Sequence, residues 1–203
     1  MKFISIDSSG KFCSISISLP NNIQESIVST MPLSHSEELA VNVKKIIDQY
    51  NISISDLDFI IINIGPGSFT GLRIGVSFVK GLSLSNNIPV VPINSFDIIK
   101  NKIDYIDKGT FYLCIYSHKN YAYAQKYNNG RKVDPKLIDL NDKIDVPIYI
   151  SGLDSSNTYD NNMINVHFTS SDLLKIGEEC FEINATNDLN SIHPIYIDYI
   201  NAE

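Results

Sequence analysis

The segment with the clearest chemical potential is a glycine-rich turn at residues 65–73, which reads GPGSFTGLR. It follows an apolar run at residues 59–64, which predicts a strand buried on both faces, and it leads into a predicted helix from about residue 69 to 86. Free backbone N–H groups and the helix dipole favour an anion at such a helix start. The spacing is neither G-x-G-x-x-G nor that of a P-loop, which also needs a lysine. The segment therefore predicts a candidate anion or nucleotide site formed by Gly65, Gly67, Ser68 and Gly71.

A packing role is the alternative for the same segment. Gly71, Gly75, Phe78 and Leu82 fall at i, i+4, i+7 and i+11, so they share one helical face. Two small residues at that spacing let another helix or a sheet come close. Arg73, in the first helical turns, has the charge to pair with a phosphate or a carboxylate. The residue types alone leave the packing role and the anion role open.

Asp7 is a second candidate for nucleotide binding. It ends a predicted strand over residues 3–7 and is followed by a turn, Ser8-Ser9-Gly10, and a hairpin. This arrangement can position a metal-bound nucleotide. Aspartate also ends strands and starts turns without any ligand, so both interpretations of Asp7 stand.

His35 lacks the partner that a metal site needs. A helical metal site places its second ligand at i+4, and that position is Leu39. His118, His167 and His193 are scattered without ligand spacing. No G-x-S-x-G elbow is present, and no pair of carboxylates stands out. The sequence therefore predicts no catalytic residue and no metal.

Hydrophobic periodicity predicts the elements that position these residues. Residues 13–19 alternate apolar and serine side chains, which predicts a half-buried antiparallel strand between strands at 3–7 and 23–29. Ser34 and Glu37 predict a capping box at the start of an amphipathic helix. Further predicted elements are strands at 89–93, 146–150 and 164–168, a helix at 95–102, a hairpin of 110–116 with 121–127, and a short helix from 171 to about 181.

A change of character near residue 102 predicts two lobes, residues 1–102 and residues 103–203. Part of the C-terminal segment is expected to pack back on the first lobe. Tyrosines crowd the predicted hairpin of the second lobe, among them Tyr112, Tyr116 and Tyr123. They could stack on bases, but tyrosine is also an ordinary strand former.

Composition limits the possible partners and locations. The net charge is −7 and no cluster of Lys and Arg is present, so we expect no direct grip on a nucleic-acid backbone. The three cysteines are far apart, which argues against a disulfide framework and a zinc knuckle. Residues 1–7 do not resemble a signal peptide, and no apolar run approaches the ~20 residues that cross a bilayer. We therefore expect a cytoplasmic protein without membrane contact.

The glycine segment resembles the hallmark of the TsaB family, also called YeaZ. The resemblance rests on residues 64–75, IGPGSFTGLRIG, with KGL at 80–82, IDSS at 6–9, CSIS at 13–16, LSHSE at 33–37 and PVVPINS at 89–95. It implies an α/β, actin-like ATPase (ribonuclease-H-like) fold. Two lobes, each a mixed central sheet flanked by helices, are expected, with the second lobe reduced. Beyond residue 103 the similarity is thin: Tyr116-Ser117-His118 stands where the family often has Asp-Ala-Arg, and Asp198 stands where it has an arginine.

The resemblance also implies a function. Catalytic relatives, the TsaD proteins, bind a metal through two histidines one helical turn apart, and this chain has at most one of them, His35. It is therefore expected to be a non-catalytic subunit that binds and organises TsaD in threonylcarbamoylation of adenosine 37 of tRNA. An ATPase subunit, TsaE, would complete the assembly, ATP would act at the complex, tRNA would be bound only through the complex, and homodimers would form when TsaD is missing. The expected partner interface lies on two helices and comprises His35, Leu39, Asn42, Thr70, Arg73, Ile74, Ser77 and Phe78.

Two other classes of function remain from the sequence. One is an active enzyme of the same superfamily, an ATP-dependent kinase-like protein or a metallopeptidase (glycoprotease). The other is a stand-alone nucleotide-binding module that uses Asp7 and the glycine turn. Weak ATP binding without hydrolysis would favour the module over the enzyme.

Overall fold

A computed structural model describes residues 1–103, 109–153 and 162–197 of the chain. Within these residues the strands are β1 (Phe3–Asp7), β2 (Ser14–Leu19), β3 (Ile23–Val28), β4 (Phe59–Gly65), β5 (Val90–Asn94), β6 (Thr110–His118), β7 (Tyr121–Asn128), β8 (Arg131–Lys132), β9 (Lys136–Asp139), β10 (Ile148–Ser151) and β11 (Met163–Asn165). The α-helices are α1 (His35–Gln49), α2 (Phe69–Asn86), α3 (Ser95–Lys102) and α4 (Ser170–Asn184), and short 3₁₀ turns cover Ile54–Asp56 and Leu189–Ser191.

The chain divides into two units. The first unit contains Met1–Asn94 and Thr169–Ile195, and the second contains the described residues of Ser95–Phe168 and those from Tyr196 onward. This division differs from the predicted boundary at residue 102. The reason is that the apolar side of α3, with Phe96 and Ile99, packs against β6.

The first unit is built on a mixed sheet with the strand order β3-β2-β1-β4-β5. The predicted meander is confirmed, since β2 pairs antiparallel with both β1 and β3. The two buried apolar strands, β4 and β5, add parallel to β1. Parallel strands need crossover connections, which α1 and α2 supply.

Helices cover both faces of this sheet. The apolar stripe of the predicted amphipathic helix is Leu39, Val43, Ile46, Ile47 and Tyr50. The first four are buried in the core against alternate side chains of β1, β2 and β4, and Tyr50 is partly buried against the same core. On the other face, α4 contacts β1, β2, β4 and β5. Its Gly177 lies so close to β4 that a β-carbon there would be 2.2 Å from the Ile61 Cδ1 atom.

Two local predictions were wrong. The serine face of β2 is buried rather than exposed, because the start of α4 covers Ser14 and Ser16. The Ser34 side chain does not cap α1: its hydroxyl donates to the Met31 carbonyl oxygen at 2.7 Å. The Glu37 amide donates to the Ser34 carbonyl oxygen at 3.0 Å rather than to the Ser34 side chain, so the expected capping box is not formed.

The second unit has a mixed sheet with the order β11-β10-β6-β7-β8, and β9 also pairs with β7. The tyrosine-rich hairpin β6–β7 is confirmed. On one face of this sheet, α3 and Val166 pack against Phe111, Leu113 and Tyr127. Among the residues described for this unit, α3 is the one α-helix. Asp198 lies outside the described residues.

Candidate functional site

The Asp7 carboxylate is enclosed by the turn that follows it. Its Oδ1 atom accepts hydrogen bonds from the Ser9 amide (3.0 Å), the Ser9 hydroxyl (2.7 Å) and the Asn63 side-chain amide (3.0 Å). The residue is 4% exposed. Burial raises the pKa of the Asp7 carboxyl, while the bonds from Ser9 and Asn63 and the nearby His35 oppose that rise. The Oδ1 atom is therefore committed to protein donors.

Asn63, near the end of β4, joins the turn after β1 to the glycine turn. Its Nδ2 group donates to Asp7 and to the Ser9 hydroxyl (2.9 Å), and its Oδ1 atom accepts from the Gly65 amide at 2.9 Å. The residue is fully buried. The sequence analysis missed it, although an asparagine inside the apolar run of residues 59–64 was a visible signal.

The glycines of the turn are needed for close contact with protein backbone. A β-carbon at Gly67 would lie 2.6 Å from the Ser9 carbonyl oxygen, and one at Gly71 would lie 2.1 Å from the Ser8 carbonyl oxygen. Gly65 has a φ of +100°, which L side chains rarely adopt. The space beside Gly67 and Gly71 is thus filled by the Ser8–Ser9 segment, which favours the packing role over an anion site.

Two amides at the start of α2 also have protein acceptors. The Ser68 amide donates to the Ser9 carbonyl oxygen at 2.7 Å, and the Ser68 hydroxyl accepts from the Gly71 amide at 3.2 Å, which makes Ser68 the N-cap. All five candidate ligand-binding residues, Asp7, Gly65, Gly67, Ser68 and Gly71, are brought together, and the contacts above join them to each other and to Ser8 and Ser9.

The face of α2 with Gly71 and Gly75 is internal. A β-carbon at Gly75 would lie 2.1 Å from the Ser8 hydroxyl oxygen and 3.4 Å from Ile62. The packing role predicted for this face is therefore an internal one, because Ser8 of the same unit fills the space beside Gly75.

His35 and Leu39 are buried, with exposures of 3% and 1%. The His35 Nε2 group donates to the Gly10 carbonyl oxygen at 3.0 Å, and Leu39 lies in the apolar core. Their assignment to the partner interface is corrected, because side chains used in the core are not available at the surface. Among the described residues, no group of three or more His, Cys, Asp or Glu side chains could hold a metal ion.

The other predicted interface residues lie at or near the surface of α1 and α2. Thr70, Arg73 and Ser77 are exposed, and Asn42, Ile74 and Phe78 are half-buried. We call these six residues the α2 surface, since five of them lie on α2 and Asn42 lies on α1. The Arg73 guanidinium lies 3.8 Å from the centroid of the Phe69 ring, which is itself 54% exposed. No α-helix in the described ranges has the length and apolar character to cross a bilayer.

Comparison with known proteins places the chain in a family. The family model described as TsaD, tRNA N6-adenosine threonylcarbamoyltransferase, matches residues 29–185. The chain is 28% identical over 130 residues to the tRNA threonylcarbamoyladenosine biosynthesis protein TsaB of Buchnera aphidicola, a match that covers 63% of this chain and 58% of that protein. It is 24% identical over 166 residues to TsaB of Bacillus subtilis, which covers 77% and 72% of the two chains.

The fold agrees with that of a solved relative. The structure of YeaZ from Pseudomonas aeruginosa superimposes with a TM-score of 0.75 at 17% identity, covering 97% of this chain and 99% of that one. The aligned segment spans somewhat more than half the length of the Buchnera relative. The chain has the actin-like ATPase (ribonuclease-H-like) fold, and it belongs to the TsaD-related family and, within that family, to the TsaB (YeaZ) proteins.

Proposed function

We propose that this chain is a non-catalytic subunit that takes part in tRNA threonylcarbamoyladenosine biosynthesis by binding TsaD. The observation that carries the proposal is that the two faces of α2 have different environments. The inward face of the helix is used by contacts to Ser8 and Ile62, whereas its outward face presents Thr70, Arg73 and Ser77 to solvent.

The chemistry of the α2 surface suits a protein partner. Thr70 and Ser77 are short, so another helix can approach closely between them. The Arg73 guanidinium stacks on the exposed Phe69 ring. Arginine and aromatic residues are the types enriched at the positions that contribute most to binding in protein interfaces. Ile74 and Phe78 add half-buried apolar area beside them.

The positions of His35 and Leu39 support a role without catalysis. In the catalytic relatives implied by the sequence resemblance, two histidines one helical turn apart bind the metal. Here the Nε2 group of His35 is used by Gly10, and the residue one turn later is a leucine in the core. A partner that supplies the metal site would complete the chemistry.

The proposal extends to the rest of the assembly. TsaE would join the complex of this chain with TsaD, ATP would act at that complex, and tRNA would be held by the complex rather than by this chain, whose net charge is −7. Without TsaD, the α2 surface would pair with a second copy of the chain. A stand-alone nucleotide-binding module, or an ATP-dependent or metallopeptidase-like enzyme, is the less supported alternative, because Ser8 and Ser9 fill the glycine turn.

The test is a mixing experiment with the TsaD protein of the same organism. The two proteins are run alone and together on size-exclusion chromatography with light scattering. We expect a one-to-one complex, formed at the expense of any homodimer. Two unshifted peaks at micromolar concentrations would contradict the proposal, and measurable binding or hydrolysis of ATP by the isolated chain would then favour the module or the enzyme.

A further inference from the structure

We propose that Asn63 is the positioning residue of the α2 surface: its side-chain amide fixes the point from which α2 begins and so sets where Thr70 and Arg73 are presented. This inference rests on the proposed function and names a residue that acts through the turn rather than by touching the partner.

The first step is the pattern of bonds around the amide. Asn63 donates to the Asp7 carboxylate and the Ser9 hydroxyl on one side, and it accepts from the Gly65 amide on the other. An ionised aspartate could accept from Gly65 but could not donate to Asp7, and a leucine could do neither. The position therefore requires a side chain with both a donor and an acceptor end.

The second step connects the amide to the helix. The Ser9 residue held by Asn63 uses its carbonyl oxygen to accept from the Ser68 amide at 2.7 Å. Ser68 is the N-cap of α2 and binds the Gly71 amide. Thr70 and Arg73 follow within the next five residues. A displacement of Ser9 or Gly65 thus shifts the helix start and the exposed side chains with it.

The third step concerns space. The Ser8–Ser9 backbone lies against Gly67 and Gly71 so closely that no β-carbon fits at either position. Such a close contact is kept only when the Ser8–Ser9 turn and the glycine turn hold one fixed distance and orientation. The side-chain hydrogen bonds of Asn63 link the Asp7–Ser9 turn with Gly65.

The experiment uses the full-length chain with Asn63→Asp and with the exchanged pair Asp7→Asn/Asn63→Asp. Two facing carboxylates repel each other and leave no donor between them, whereas the exchanged pair again has one amide and one carboxylate. We expect Asn63→Asp to raise the rate of amide hydrogen exchange in residues 68–73. At neutral pH it should also raise the Kd for TsaD at least about tenfold. The exchanged pair should recover a large part of both.

A pH series supplies a readout that a general loss of stability would not give. In Asn63→Asp the carboxylate pair takes up a shared proton as the pH falls, so its affinity for TsaD should rise toward the wild-type value in acid. In the described part of the chain, His35 and the Cys13 thiol are titratable groups that interact electrostatically with Asp7, and both are present in every variant. Wild type therefore defines their contribution.

Leu174→Ala is the matched control, since Leu174 is buried in α4 on the opposite face of the sheet. It should lower global stability without a local rise in exchange at residues 68–73. The inference is overturned if Asn63→Asp leaves exchange in that segment and the Kd within about twofold of wild type. It is also overturned if the exchanged pair shows no recovery or Leu174→Ala gives the same pattern.

Failure of this inference is distinguishable from failure of the proposed function. If wild type does not bind TsaD, the proposed function fails, and the exchange measurement alone decides the role of Asn63. If wild type binds and Asn63→Asp binds equally well, only the role of Asn63 fails. Should Asn63→Asp not fold, the comparison of wild type with the exchanged pair decides: unprotected amides at residues 68–73 in a folded exchanged pair would overturn the inference.

Discussion

The Ser8 side chain packs so closely against Gly75 that there is no room for a β-carbon at position 75. The β-carbon of an alanine at Gly75 would lie 2.1 Å from the Ser8 hydroxyl oxygen. That oxygen is buried and has no hydrogen-bond partner among the described residues. We predict that Gly75→Ala lowers the free energy of unfolding by about 1–3 kcal/mol through overpacking, despite the better helix propensity of alanine. Urea denaturation measures the change.

Two further variants isolate the cause. Ser8→Ala removes an unpartnered hydroxyl and should be close to neutral by itself, and the double variant Ser8→Ala/Gly75→Ala should regain most of the lost stability. Gly81→Ala lies on the same helix with nothing within 4 Å of its β-carbon, so it should stabilise by about 0.5–1 kcal/mol. Strictly additive effects of Ser8→Ala and Gly75→Ala would contradict this account.

The buried Asp7 carboxyl should make stability depend on pH. Burial raises its pKa in the folded protein, so the folded state holds the proton more tightly than the unfolded state does. The free energy of unfolding should therefore fall as the pH rises from the ordinary aspartate range, ~3.9, through the raised folded pKa, and then level off.

Asp7→Asn is predicted to remove that fall and to be at least as stable as wild type at neutral pH, since the asparagine Oδ1 atom can still accept from Ser9 and Asn63. Denaturation at a series of pH values measures the effect. Asp48→Asn, on the exposed side of α1, is the control and should keep the wild-type profile. An Asp7→Asn profile that parallels wild type at every pH would show that Asp7 is not responsible.

At the scale of elements, α4 is fastened to the first sheet by hydroxyl groups. Ser14 accepts from the Ser170 amide at 2.8 Å, Ser5 donates to the Ser170 carbonyl oxygen at 2.6 Å, and Ser16 shares bonds with Ser170 and Ser26. These contacts explain why the serine face of β2 is buried, and they fix the start of α4 over β1 and β2.

We predict that Ser14→Ala costs about 1–3 kcal/mol of unfolding free energy, because it leaves the buried Ser170 amide without its acceptor. Ser26→Ala removes a hydroxyl from an exposed position of β3, and Ser16 keeps its bond to Ser170. That control should cost about 0.5 kcal/mol or less. Equal losses in the two variants, measured by urea denaturation, would mean that the Ser14 bond has no special role.

Periodicity was sufficient for elements whose buried side is apolar. The stripe of α1 and the apolar strand β4 were predicted because their leucines, isoleucines and valines repeat with the period of a helix or fill a buried strand. The serines of β2 gave the opposite impression, since a polar face is normally solvated. The serines of β2 are covered by Ser170, which lies more than 150 residues away in the sequence, so local periodicity could not reveal their burial.

The candidate site was predictable in part for a related reason. The glycines and Asp7 are conspicuous by residue type, and the structure does bring them together. Local spacing could not show that Ser8 and Ser9 fill the turn, or that Asn63 bridges it, because both depend on the pairing of β1 with β4. The burial of His35 and Leu39 follows from the same tertiary contacts.

At the scale of the whole molecule, the first unit is discontinuous in sequence. Thr169–Ile195 returns to it after the second unit, and Ile195 donates its amide to the Ile64 carbonyl oxygen at 2.7 Å. A single boundary near residue 102 cannot describe this arrangement. The expectation that part of the C-terminal segment packs back on the first lobe agrees with it. The helices α2 and α4 consequently belong to the same unit, on opposite faces of one sheet.

That geometry provides a matched pair of variants for the proposed assembly with TsaD. Ser77 is an exposed residue of the α2 surface, and Ser171 is exposed at the start of α4. Arginine at either position adds the same bulk and charge. Each change should alter stability by no more than about 1 kcal/mol, with the larger effect at Ser171 because its positive charge stands in the first turn of α4. We predict that Ser77→Arg weakens binding to TsaD by at least about tenfold, whereas Ser171→Arg binds like wild type. Isothermal titration calorimetry gives both Kd values. Equal affinities would show that the interface does not include this part of α2, and a loss confined to Ser171→Arg would place the interface on the side of α4.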